Sequence, residues 1–302
     1  MSFSSEAKAE ICRVLPGKKC CAGAMCYGIL LYCNTFSARE IRIITGNKSF
    51  AAILPRLFRR AFGFGFDRIS EKSDEWAKQS FVIDSQDKLS AVFSKYGYER
   101  TSLISHHVNL GVLEEECCRM SFLKGAFLAG GSVTDPGKRY HFELATAHKS
   151  VSRETYSLLL ELGFSPRETS RGADSVVYFK QSDVISDILT MLGAPLASMN
   201  IVSAKIEKDL TNSVNRKVNC DTANVKKAVD AAGNAIQAIR ALESADKLSG
   251  LPEKLRETAR LRYENPEMSI SELAAVHNPP VTKSCLNHRL RKLISLASEA
   301  SE

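Results

Sequence analysis

The sequence predicts an α+β protein: two pseudo-symmetric α-ββ-α-ββ-α halves followed by an all-α domain. Three observations lead there. Residues 26–36 and 123–133 repeat one pattern, with Gly28 falling on Gly125, Leu31 on Leu128, Asn34 on Gly131 and Thr35 on Ser132. The β-prone runs and glycine stops that follow each copy come in the same order. From Leu251 onward the pattern is helical alone.

In the first half, residues 26–32 read as an apolar helix, and Asn34 reads as its left-handed stop. Residues 36–45 are β-prone, and Gly46-Asn47 is a turn. Asn47 starts a helix that runs through Leu54 to Phe62, with Pro55 against its first part, and Gly63 closes it. Strand-like runs follow at 64–69 and 80–84. A helix over 86–96 with the stop glycine Gly97 ends the half.

The second half repeats this. Gly125 and Ala129, four apart, give its first helix a face that a second helix can approach closely. Gly130-Gly131 stops it, and β-prone Ser132-Val133 follows. Residues 140–146 are β-prone, 150–162 helical and closed by Gly163, and 164–169 and 175–180 strand-like about the turn Arg171-Gly172-Ala173-Asp174. A helix over 183–192 ends at Gly193. Four strands and flanking helices per half bury one sheet face and leave the other open, so the paired halves would present a continuous saddle.

Residues 200–240 read as a basic helical linker, interrupted by asparagines at 212–219 and restarted with Asp221 or Thr222 as cap. Beyond it, residues 253–264 carry Leu255, Ala259, Leu261 and Arg262 in an amphipathic run. Ser269 and Glu272 form a capping box at the start of a short helix ending near His277. Asn278-Pro279-Pro280 breaks it, and Thr282 or Ser284 caps a last helix to about Ser298. There Leu286, Leu290, Leu293 and Ala297 belong inside. Lys283, Asn287, His288, Arg291 and Lys292 point away, Arg289 flanks them, and no acidic residue interrupts residues 283–296.

Helix, short capped helix, break and basic amphipathic helix is the helix-turn-helix layout, whose last helix enters the major groove of double-stranded DNA. Lys283, Ser284, Asn287 and His288 are the candidates for base or groove contacts. Arg289, Arg291 and Lys292 are the candidates for phosphate contacts. A solvated helix face is the competing reading. Arg56, Arg59 and Arg60 add positive charge to the first half, with the same competing reading.

Composition sets the limits. The chain has 302 residues, enough for two or three domains, and a net charge of +7, which suits a polyanionic partner without requiring one. No apolar run approaches a membrane span and no signal pattern opens the chain, so a cytoplasmic place is expected, with no membrane partner. The nine cysteines include the adjacent pairs Cys20-Cys21 and Cys117-Cys118. These suit neither a disulfide framework nor a C-x-x-C zinc clamp, so most cysteines are expected to be reduced core residues, with no metal and no cofactor.

The doubled helix-stop-strand pattern resembles the LAGLIDADG homing-endonuclease fold, in which two such helices pack at the pseudo-dyad. The resemblance implies an acidic metal ligand at the end of each helix. Mapped by motif, those catalytic positions are Cys33 and Gly130, both degenerate: glycine offers no ligand atom, and a thiol is a poor magnesium ligand. Asp135 and Glu143 are the acids left for a residual endonuclease, and a surface turn at Asp135-Pro136-Gly137 accounts for the first. Cleavage is not expected.

Residues 215–229, 265–274, 282–293 and 125–132, including Gly125-Ala126-Phe127-Leu128-Ala129-Gly130-Gly131-Ser132, resemble the WhiA family along essentially the whole chain. The resemblance implies LAGLIDADG-like halves over 1–110 and 111–217 and a helical linker with helix-turn-helix over 218–302. It implies a bacterial, nucleoid-associated transcriptional regulator linked to sporulation or to cell division and chromosome segregation. The saddle then either grips duplex backbone or receives a protein such as RNA polymerase or another regulator.

Overall fold

The computed structural model describes residues 2–70, 78–99 and 105–301. They divide into two compact units, residues 1–208 and 209–302.

In the first unit, helix α1 (Phe3–Ile11) precedes two copies of the predicted repeat. The first copy is α2 (Lys19–Tyr32), β1 (Thr35–Phe36), β2 (Ile41–Thr45), α3 (Lys48–Phe62), β3 (Arg68–Ile69), β4 (Gln79–Ile83) and α4 (Gln86–Lys95). The second is α5 (Glu116–Gly130), β5 (Gly131–Val133), β6 (Phe142–Thr146), α6 (Lys149–Glu161), β7 (Arg167–Arg171), β8 (Asp174–Phe179) and α7 (Ser182–Leu192). Each copy builds one antiparallel sheet of four strands, in the orders β1-β2-β4-β3 and β5-β6-β8-β7.

The sheets alternate as a half-buried surface must. Ile41 and Ile43 enter the core while Arg42 and Ile44 face out. Phe142, Leu144 and Thr146 are buried, with Glu143 and Ala145 on the other face. Helices cover the apolar faces, and one core runs through both halves. At its centre α2 and α5 pack together, and every residue of α2 from Cys21 to Tyr32 is buried. Tyr32 Oη donates to Thr155 Oγ1 at 2.9 Å and Thr146 Oγ1 donates to the Leu31 carbonyl at 2.9 Å, so the halves also share buried polar contacts.

Four glycines close helices in the left-handed region as expected: Gly63 and Gly163 at φ 86°, Gly97 at 73° and Gly193 at 85°. The central helices end differently. Gly131 has φ −90° and ψ 155°, and Asn34 also keeps a negative φ. Both central helices therefore run straight into strands with no left-handed stop. Asn34 is placed there by its side chain, whose Oδ1 accepts from Ile44 N at 2.8 Å. Gly131 is placed there by space, since a Cβ would lie 2.3 Å from Phe127 Cδ2. Pro55 is accommodated inside α3, which Asn47 caps by accepting from Phe50 N at 2.9 Å.

Helix α8 runs unbroken from Pro195 to Ser244, where the sequence suggested a break. Asn212, Asn215 and Asn219 are exposed, so each costs only its modest propensity difference. Pro195 sits at the first helical position, which needs no N–H. Ala197 and Ile201 of α8 belong to the first core; Ala235, Ala238, Ile239 and Leu242 belong to the second.

In the second unit that end of α8 packs with α9 (Glu253–Glu264), α10 (Ile270–Val276) and α11 (Lys283–Ser301) around Leu255, Ala259, Leu273, Leu286 and Leu293. The capping box forms as expected: Glu272 N donates to Ser269 Oγ, and Ser269 N to Glu272 Oε2. Arg262 lies 2% exposed under the α9–α10 turn, its Nη1 donating to the carbonyls of Asn265, Pro266 and Met268.

Candidate nucleic-acid interface

Helix α11 is positioned by its apolar stripe. Leu286, Leu290, Leu293 and Ala297 are buried against α9 and α10. Thr282 Oγ1 accepts from Cys285 N at 3.2 Å and caps the helix start, which settles the choice between Thr282 and Ser284. Lys283, Ser284, His288, Arg291 and Lys292 are exposed over its first turns. Asn287, expected on the outward face, is half-buried, because it lies beside the apolar stripe rather than opposite it. Arg289 is half-buried too, within electrostatic reach of Glu257. That carboxylate accepts from Asn278 N at 3.3 Å and faces His277 Nδ1 at 3.4 Å, and these donors hold it below the usual carboxylate range. The seven predicted residues thus share one helix, five of them open to a ligand.

The degenerate helix ends lie side by side in the fold but carry no ligand set. A Cβ on Gly130 would lie 2.4 Å from the Ala145 carbonyl oxygen and 2.9 Å from Tyr32 Cδ1, so the position has room for glycine alone. The Cys33 thiol donates toward the carbonyls of Leu30 and Thr35, each at 3.2 Å, and burial pushes its pKa up to about 12. Asp135 Oδ1 accepts from Gly137 N at 2.8 Å, the surface turn the sequence suggested. Glu143 accepts a two-pronged contact from Arg171, 3.1 Å at each prong, with Ser132 Oγ and His141 Nε2 also at 3.1 Å. Partial burial opposes its ionisation, but these donors keep its pKa below the ordinary value.

On the open sheet faces three arginines are already partnered, while Arg167 of β7 is exposed. Arg42 pairs with Glu40 at 2.7 Å, Arg68 with Asp84 at 2.6 Å and Arg171 with Glu143 at 3.1 Å. Arg56, Arg59 and Arg60 do not add to these faces. The buried side of α3 (Phe50, Leu54, Leu57, Phe58, Ala61) meets the sheet, so the arginines are on the outer surface of the helical layer.

Sequence reasoning missed two features. Glu10 accepts from Leu196 N at 2.7 Å and Ala197 N at 3.1 Å, capping α8 from α1. The cysteines are also less uniformly core than expected: Cys20, Cys220 and Cys285 are exposed, and the pairs Cys20-Cys21 and Cys117-Cys118 meet. Their common offset with Gly28 and Gly125 was a usable signal.

Fold and site together define a LAGLIDADG-like core joined to a C-terminal helix-turn-helix domain. The profile of the WhiA LAGLIDADG-like domain matches residues 119–211, and that of the WhiA C-terminal HTH domain matches residues 214–297. The "Probable cell division protein WhiA" of Ruminiclostridium cellulolyticum is 35% identical, over 98% of this chain and 97% of its own. The protein of the same name from Heliobacterium modesticaldum is 34% identical, over 100% of this chain and 97% of its own. The crystal structure of full-length WhiA from Thermatoga maritima shares the fold, with a TM-score of 0.58 and 23% identity over 99% of both chains. The chain belongs to the WhiA family. Among the described residues no helix is long and apolar enough to cross a membrane.

Proposed function

We propose that the protein is a non-catalytic, sequence-specific DNA-binding transcriptional regulator. Its setting is cell division and chromosome segregation, or sporulation, in the cytoplasm and on the nucleoid. The observation that carries this is α11, whose buried leucines fix it on a capped helix pair while Lys283, Ser284, His288, Arg291 and Lys292 stay exposed. In this reading Lys283, Ser284, Asn287 and His288 contact base edges or the groove wall. Arg289, Arg291 and Lys292 hold phosphates of double-stranded DNA. Glu257 orients Arg289 from behind. The test is genome-wide mapping of bound DNA for the native chain and for Arg289→Ala with Arg291→Ala. Loss of discrete sites in the variant is expected; an unchanged map overturns the assignment. In vitro, log affinity should fall by about 0.9 per log unit of salt for each phosphate neutralised.

The absence of cleavage rests on the absence of a ligand set: Gly130 admits no side chain, the Cys33 thiol is held protonated, and Glu143 is saturated by its donors. Plasmid incubated with magnesium or manganese should stay supercoiled. Metal-dependent nicking that Asp135→Ala abolishes would reverse the conclusion.

A second reading concerns the open sheet faces. The ion pairing of Arg42, Arg68 and Arg171 there favours a docking platform for RNA polymerase or another regulator over a grip on duplex backbone. Residues 1–200, tested alone, should then bind no DNA.

A further inference from the structure

Cys20 and Cys21 are the second and third residues of α2, and Cys117 and Cys118 are the second and third residues of α5. The two pairs are related by the same offset that relates Gly28 to Gly125, so the pseudo-dyad brings them face to face. The Sγ atoms of Cys20, Cys21 and Cys118 all lie within 4.8 Å of one another, and the Cys117 thiol lies beside that of Cys21. We propose that Cys20, Cys21, Cys117 and Cys118 form a tetrahedral thiolate site for one thiophilic cation, zinc, which clamps the two halves together at the ends of the central helices.

Four sulfurs bound to zinc at about 2.3 Å stand roughly 3.8 Å apart, close to the spacing of Cys20, Cys21 and Cys118, while Cys117, beside Cys21, must turn its thiol inward to complete the set. The donor set is sulfur alone, which selects a soft or borderline ion and rejects magnesium and calcium. Cys20 is exposed while Cys21 and Cys118 are buried, giving an ion an entrance and a floor. Neither helix has a side-chain cap, so both first turns keep N–H groups and a positive dipole end for the thiolates. Lys18 stands near Cys20 and Lys124 near Cys21, offsetting part of the negative charge, and the Ser121 hydroxyl lies against Cys21. Binding is not a redox step: four sulfur–metal bonds form, four thiol protons pass to solvent, and the bound centre carries a net charge of −2.

The experiment uses the full chain, reduced and stripped by chelator, titrated with cobalt(II) as the spectroscopic probe and then with zinc(II). One equivalent of cobalt should give the thiolate-to-metal charge-transfer absorption and the intense d–d bands of a tetrahedral site, and one equivalent of zinc should erase them. The bands should be lost in Cys20→Ser and in Cys117→Ser, and kept in Cys285→Ser. Zinc should also protect Cys20 of the native chain from alkylation, a readout that does not depend on any variant folding. Weak octahedral bands, bands indifferent to Cys20 and Cys117, or an air-oxidised Cys20–Cys118 disulfide in a chain that binds no metal when reduced would each overturn the proposal.

Discussion

Gly28 and Gly125 make the same contact in opposite directions. A Cβ on Gly28 would lie 2.0 Å from the Phe122 carbonyl oxygen, and a Cβ on Gly125 would lie 2.0 Å from that of Met25. Each glycine meets the carbonyl three residues before the other, so the pseudo-two-fold axis passes between them. The close approach lets α2 and α5 pack backbone to backbone, and this seam carries the common core.

Gly28→Ala and Gly125→Ala should therefore each force the helices apart and cost about 3 kcal/mol by overpacking. Their effects should not add, because one separation relieves both clashes. Urea midpoints of the two single variants and the double variant measure this. A double variant that loses the sum would mean the two contacts are independent.

Gly130→Asp restores a carboxylate to the helix end without restoring a site. Its Cβ would meet the Ala145 carbonyl and the Tyr32 ring, so stability should drop by about 2 kcal/mol. Plasmid should remain intact with magnesium or manganese. Thermal melts and a nicking assay on the same preparation check both halves of the prediction.

Lys8 gives the first unit a pH signature. Its Nζ donates to the Leu128 carbonyl at 3.1 Å, and burial lowers its pKa from 10.5 to about 8, partly countered by Cys12. Between those two values the unfolded chain holds the proton and the folded chain does not, so stability rises with pH across that window. Burial pushes the Cys12 thiol up to about 12, which acts in the opposite sense. Subtracting the profile of Lys8→Met isolates the lysine. The difference should grow by on the order of 3 kcal/mol from pH 8 to 10.5, and a flat difference would contradict the assignment.

Arg262→Leu should strike the second unit alone. It leaves the Asn265, Pro266 and Met268 carbonyls without their shared donor, a loss of about 3 kcal/mol. Calorimetry should show one transition shifted down and the other unmoved. DNA affinity should fall in step, since the α9–α10 turn supports α11.

The sequence made much of this legible, for identifiable reasons. The Ser269–Glu272 box and the Gly63, Gly97, Gly163 and Gly193 stops are local signals and form where the residues indicate, while strands are placed less sharply, β3 covering only Arg68–Ile69 and β7 starting at Arg167. Gly125 was readable because small residues four apart on an apolar helix, here Gly125 and Ala129, have few other uses, and Gly28 because the repeat sets it on Gly125. Asn34 and Gly131 misled because asparagine and glycine serve two purposes, and here a hydrogen bond and a lack of space outweigh handedness. The asparagines of α8 misled because propensity is a weak prior on an exposed helix without proline in its interior. The cysteine cluster was hidden for another reason: each pair is unremarkable alone, and only the pseudo-dyad makes them neighbours.

Helix α1 has a consequence for how the chain is made. Ser4 Oγ accepts from Val133 N, Lys8 reaches Leu128, and Glu10 caps α8 at Leu196 and Ala197. All three partners leave the ribosome long after α1 does. The amphipathic α1 segment, with buried Ala7 and Ile11, does meet α3 early, where Asn47 Nδ2 donates to the Ser5 carbonyl and to Ser5 Oγ at 3.0 Å, but these are only part of its contacts. The earlier half can form its sheet and hold α1 against α3 in that interval, but the last turn of α5 and the first turn of α8 must both emerge before the remaining contacts of α1 close. The last contacts of α1 therefore wait for the synthesis of residues close to 200, and a chain stalled before that point holds α1 by its early contacts alone.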